Sequence, residues 1–120
     1  MQTKNQELGS GISVDTGTLG TYSNRIDVSQ FDRFNIQANF TYAVGDDAAG
    51  NCKLQASLDG TNWSDIPDST IAYTSTTGNN QWAVTINIYK WIRANFIQTS
   101  VSNAGATVAV LFQGFINDRT

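Results

Sequence analysis

An all-β chain, folded as an antiparallel β-sandwich or jelly roll of about eight strands, follows from three features of this sequence. Apolar and polar residues alternate over several long segments, the period of a half-buried strand. Val, Ile, Thr and aromatic residues are abundant, and clusters of Gly, Asn and Asp fall between them as turns. No segment carries the period of an amphipathic helix. At 120 residues the chain is one domain, long enough to bury a core without covalent staples.

Residues 1–9 are polar and aperiodic and read as a flexible N-terminal arm; residues 10–120 then form the single sandwich domain. Ile12 to Val14 is a short edge strand, followed by turn-rich residues 15–21. Ser23 to Val28 is the next strand, with Ile26 and Val28 on one face. The clearest strand is Arg33 to Tyr42: Phe34, Ile36, Ala38, Phe40 and Tyr42 share one face, and Arg33, Asn35, Gln37, Asn39 and Thr41 share the other. Residues 44–51 form a loop around Gly45 and Gly50.

Cys52, Leu54, Ala56 and Leu58 alternate next, and Asp59 with Gly60 closes a hairpin, because glycine adopts positive φ without a steric penalty. Trp63 lies on the returning strand, in inward register, as a core anchor of that hairpin; Pro67, which has no N–H to donate, ends the strand. A short strand over residues 71–73 and a turn over 77–80 precede Trp82, Val84, Ile86 and Ile88, which share an inward face. In the strand from Trp91 to Thr99, Ile92, Ala94 and Phe96 point in while Trp91, Arg93 and Asn95 point out as an exposed patch suited to an interface. After a hairpin loop at residues 102–105, the last strand places Val108, Val110, Phe112 and Ile116 on one face. Ala109, Leu111 and Phe115 occupy the other, which is too apolar for free solvent and calls for a cover.

The chemistry that this composition withholds is equally informative. There is no histidine, so the commonest general base and transition-metal ligand are missing. Cys52 is the single cysteine; it forms no intramolecular disulfide and fits synthesis in a reducing cytoplasm. Asp46 and Asp47 lack the alternating spacing of a calcium loop and read as a solvated turn. Asp65 and Asp68, flanking Pro67, read as turn and cap residues rather than a pair for glycoside hydrolysis. No catalytic, cofactor-binding or metal-binding residue is therefore assigned, and the expectation is a protein that is not an enzyme. Seven scattered basic residues and a net charge of −3 argue against nucleic acid. No apolar run approaches the ~20 residues of a membrane span, and the first residues lack the apolar segment of a secretion signal. Polarity supplied by amides and hydroxyls suits contact with protein or with saccharide.

Two runs carry a likeness. They are Ser23-Asn24-Arg25-Ile26-Asp27-Val28-Ser29-Gln30-Phe31-Asp32-Arg33-Phe34 and Lys53-Leu54-Gln55-Ala56-Ser57-Leu58-Asp59-Gly60-Thr61-Asn62-Trp63, continued by Ile66-Pro67 and Tyr89-Lys90-Trp91-Ile92-Arg93 and closed by a hydrophobic hairpin. From about residue 20 to 116 the chain resembles short β-sandwich virion structural proteins of tailed bacteriophages, of the head decoration, head-fibre or tail-associated type. The Ser-x-Asp-Gly-x-x-Trp hairpin also occurs in carbohydrate-binding sandwiches. The resemblance implies a virion protein made in the host cytoplasm, a homotrimer that also binds a capsid or tail protein. Its interface candidates are Leu111, Phe115, Trp91, Arg93 and Asn95. The alternative expectation is a carbohydrate-binding module on a receptor-binding appendage, with a surface saccharide as its partner.

Overall fold

Period-two alternation becomes two facing antiparallel sheets. The structure, a computed structural model, describes residues 2–14, 20–42, 48–100 and 106–116. Among them the strands are β1 (Gln2–Glu7), β2 (Ile12–Ser13), β3 (Thr21–Tyr22), β4 (Ile26–Asp27), β5 (Arg33–Tyr42), β6 (Ala49–Ser57), β7 (Ser64–Asp65), β8 (Ile71–Thr74), β9 (Asn79–Val84), β10 (Trp91–Ser100) and β11 (Ala106–Ile116). The front sheet runs β1-β11-β5-β9, with β2 also paired to β11. The back sheet runs β3-β10-β6-β7, with β4 on β10 and β8 on β6. The protein is an all-β sandwich, as its alternation predicts.

The core lies between the sheets. Phe34, Ile36, Ala38 and Phe40 of β5 and Val108, Val110 and Phe112 of β11 face Cys52 and Leu54 of β6 and Ile92, Ala94 and Phe96 of β10, all buried. Phe40 stacks on Tyr73 of the back sheet at 4.7 Å between ring centroids and meets Phe96 edge-on at 6.0 Å. Trp82 of β9 is buried as expected, and its indole N–H reaches across to the carbonyl of Ser69 at 2.6 Å. The polar Gln98 is also inside. Its amide donates to the Val14 carbonyl at 3.0 Å and accepts from the Ala106 N–H at 3.2 Å, so burying it leaves neither end of the amide unbonded.

Several expectations need correction. Residues 2–7, read as part of a flexible arm, form β1, paired along its whole length with β11 from Gln2 opposite Ile116 to Glu7 opposite Leu111. All six of its side chains are exposed, so the strand is held by main-chain bonds and leaves no hydrophobic period in the sequence. A bulge ends it: Leu8 N donates to Val110 O, and Val110 N donates to Gly9 O, so two residues oppose one. Leu8 is thereby turned into the core.

The inward runs also stop earlier than their pattern. β6 ends at Ser57, leaving Leu58 84% exposed. β9 ends at Val84, because the Asn87 side chain donates to the carbonyls of Val28 and Phe31 at 2.7 and 2.9 Å and holds residues 85–90 in a loop. Ile86 and Ile88 are consequently 78% exposed instead of inward. Asn79 and Asn80, read as turn, belong to β9, and residues 49–51, read as loop, open β6. Most of the loop expected at 15–21, Asp46 and Asp47, and the hairpin at 102–105 lie outside the described residues.

Candidate functional site

The turn at residues 58–63 organises one end of the back sheet. Asp59 Oδ1 accepts the backbone N–H groups of Thr61 and Asn62, each at 2.8 Å, while Oδ2 accepts the Asn62 side-chain amide at 2.8 Å. The Ser57 hydroxyl donates to the same carboxylate and accepts from Gly60 N. These donors hold the Asp59 carboxyl well below the usual range. Gly60 has φ +77°, the left-handed region, and a Cβ there would collide with the Arg25 guanidinium, which donates to the Gly60 carbonyl at 2.8 Å. Asp59 and Gly60 are thus turn-forming, as their residue types predict.

Trp63 is not the core anchor expected. A two-residue hairpin would have set Trp63 opposite Ala56. The longer loop instead pairs Ala56 with Ser64, one residue out of that register. A slip of one flips every side chain, so Trp63 rises half-buried on the outer face. There Arg93 lies over its ring at 4.3 Å and over the Tyr22 ring at 3.6 Å, sandwiched between two aromatics. Arg93 Nε donates to Gln55 Oε1 at 2.9 Å, Gln55 donates on to Asp65, and Lys53 pairs with Asp65 at 2.8 Å.

A second stack adjoins the first. Trp91 carries Arg25 at 4.7 Å and Lys90 at 5.7 Å, and Lys90 pairs with Asp27 at 2.7 Å. Asn95, on the same side of β10, is only 3% exposed, with Gly20 packed against its side-chain oxygen. Of the outward trio on β10, Trp91 and Arg93 are half-buried within cation–π stacks and Asn95 is covered. This face is largely occupied by contacts with itself.

The outer face of the front sheet is built differently. Strand register sets Gln81, Gln37, Leu111 and Glu7 in one row across four strands, with Ala83, Asn35, Gln113 and Asn5 in the next. Gln81 donates to Gln37 at 3.1 Å, and Gln37 donates to Asn39 at 2.6 Å. Leu111 stands among these amides 41% exposed, and Phe115 is half-buried beneath the Arg33 guanidinium at 4.8 Å. A depression of about 480 Å³ opens here, lined by Asn5, Asn35, Gln37, Gln81 and Leu111, with Glu7 its one charged wall residue among those described. Leu111 and Phe115, on the last strand, therefore do share an outward face, although an arginine already covers one of them.

A third surface was hidden from sequence reasoning. Leu58 and Ile88 border a depression of about 400 Å³ at the end of the sandwich, with Ala56 and Tyr89 beneath. Their alternation with polar neighbours marked them as inward, so no sequence signal pointed here. The described residues contain no cluster of three metal-ligating side chains, and no helix long and apolar enough to cross a membrane. Cys52 is buried, and burial pushes its thiol up to about 11, which makes it a poor nucleophile.

No protein-family model matches the sequence, and no curated protein matches it.

Proposed function

We propose that this protein is a non-enzymatic structural subunit of a bacteriophage virion, a capsid decoration or cement protein or a head-fibre or tail-associated subunit. It acts by binding copies of itself, as a homotrimer, and a capsid or tail protein, after synthesis in the host cytoplasm. The observation that carries the reading is the outer face of the front sheet: an exposed leucine, Leu111, set among uncharged amides with Glu7 as the one charge in the wall among the described residues. Amides are cheaper to desolvate than ions and find partners in a facing protein, while the leucine supplies apolar area.

The strand order supports the same reading. If β1 is merged with β2, β3 with β4 and β7 with β8, eight strands remain, in the orders 1-8-3-6 and 2-7-4-5. We read that order as a jelly roll, an architecture used by capsid and lectin domains. A three-fold contact is heterologous, so one surface must fit a different one. The apolar rim at Leu58 and Ile88 is the natural counterpart of the depression around Leu111. Cryo-electron microscopy of particles from the source of this sequence tests the proposal: density for this fold at fixed copy number is expected, and its absence from purified particles overturns it.

A carbohydrate-binding module is the second reading, favoured by the amide-lined depression alone. The tryptophans that would stack on sugar are already capped by Arg25 and Arg93. Calorimetric titration with neutral oligosaccharides, lost on Gln37→Ala, would move the reading to this class.

A further inference from the structure

Beyond the face around Leu111, β1 is an outermost strand of the front sheet, with no strand among the described residues paired to its far side. The bond from Leu8 N to Val110 O fixes the phase of the β1–β11 ladder. In an antiparallel pair the bonding residues alternate, so the main chains of Gln2, Lys4 and Gln6 face β11. The N–H and C=O groups of Thr3, Asn5 and Glu7 then point away from it, toward solvent. Beyond Glu7 the edge is closed, because Asn24 N donates to Leu8 O at 2.8 Å. Alongside the open part lies a groove of about 420 Å³ between Lys4 and Gln6 on one side and Arg25, Asp27, Ser29 and Gln30 on the other. Exposed edges of this kind are normally blunted by proline, a bulge or charged side chains, lysine above all, so Lys4 is the one such lysine that a pairing strand here must accommodate. Residues 2–7 contain no proline, the bulge falls after them, and the strand carries one Lys and one Glu.

We infer that β1 pairs antiparallel with β1 of a second copy of this chain, across a two-fold axis perpendicular to the front sheet. Such an axis keeps side-chain faces matched, so only residues of the same parity can oppose one another. The register that sets Asn5 against Asn5 brings Thr3, Asn5 and Glu7 against Glu7, Asn5 and Thr3, and the ladder ends there, because the position at Leu8 that Gln2 of the second copy would reach is closed by Asn24. It also sets Lys4 against Gln6. The neighbouring register that sets Lys4 against Lys4 loses a bonded pair and opposes two like charges, which selects against it. Asn5 lines the depression around Leu111, so the pairing joins the amide faces of two copies into one surface. The contact is small and therefore weak in free solution. It does not depend on the virion reading, and it is compatible with a separate heterologous contact.

Cysteine trapping on the full-length chain tests this, with buried Cys52 left in place. Asn5→Cys should form a disulfide dimer about tenfold faster than Lys4→Cys or the exposed control Leu58→Cys, because only opposed Cα atoms lie within the ~7 Å that a bridge spans. Hydrogen exchange supplies the second measurement. The amides of Thr3, Asn5 and Glu7 should gain protection as protein concentration rises, while those of Lys4 and Gln6 stay constant. Asn5→Pro removes an outward N–H and should abolish the concentration dependence while Lys4 and Gln6 remain protected. Equal trapping rates for the three cysteine variants, or protection of Thr3, Asn5 and Glu7 independent of concentration, would overturn the inference.

Discussion

The two outer faces of this sandwich differ in how completely their side chains satisfy each other. On the back sheet, Arg93 lies between Tyr22 and Trp63, Trp91 is capped by Arg25 and Lys90, and the carboxylates of Asp27 and Asp65 are paired with lysines. Cations, rings and carboxylates are mutually spent there, so a partner docking on this face would have to break contacts before making any. On the front sheet, amides bond in short chains, and Leu111 stands partly exposed among them. Around Leu111 and Gln37 a partner adds bonds and buries leucine without displacing any of the ion pairs described above. Rich chemistry on a surface is thus not the same as an open surface, and the plainer face is the better candidate for assembly.

The largest effect should separate core from face among the tryptophans themselves. Trp82→Ala, which removes a buried indole and its bond to Ser69, should cost about 3–5 kcal/mol in urea unfolding. Trp63→Ala, which removes one side of the Arg93 sandwich, should cost roughly 1–2 kcal/mol. Equal losses for the two would mean that Trp63 belongs to the core after all.

Arg93→Met probes the closed face next. It keeps a long apolar stem but loses two ring contacts and the bond to Gln55, and should destabilise by about 1–2 kcal/mol with no change in solution mass. Its mirror on the open face is Leu111→Ser. That substitution should leave the unfolding midpoint within about 0.5 kcal/mol of wild type. It should lower the mass seen by light scattering if the front face self-associates. If the wild-type protein has the mass of one chain at every accessible concentration, the intrinsic trimer is ruled out and assembly must be templated by a partner.

Acid sensitivity should be the smallest difference. The Lys90 ammonium, with the hydroxyl and backbone N–H of Ser29, lowers the Asp27 carboxyl to about 2. A folded pKa below the unfolded one, near ~3.9, contributes stability that is complete above that value and is lost as pH falls toward the folded pKa. Unfolding midpoints should therefore decline between about pH 4 and pH 2, and Asp27→Asn should flatten part of that decline. Both groups are partly solvated, so the effect is modest. An identical acid slope in Asp27→Asn would remove this ion pair from the account.

Much of this was readable from the residues. The bounds of β5 fall where strict alternation puts them, from Arg33 to Tyr42, because one face is buried and the other wet. The same reasoning places Ile92, Ala94 and Phe96 inward, Trp91 and Arg93 outward, and Leu111 opposite Val110 and Phe112 across the last strand. Gly60 announces a positive φ because few other residues adopt one cheaply.

What the tertiary structure alone decided is where alternation stops and which way a returning strand faces. Ile86 and Ile88 continue an inward pattern, yet Asn87 ends the strand by bonding across to Val28 and Phe31. Trp63 has an inward phase only for a two-residue turn, and the actual loop shifts the register by one and turns it onto the outer face. β1 has no pattern at all, because its strand is made by the unpaired edge of β11 and buries neither face. Periodicity records which residues share a side. Main-chain bonding between distant segments chooses the partner, the register and the end of each strand, and those bonds leave no mark on a single sequence.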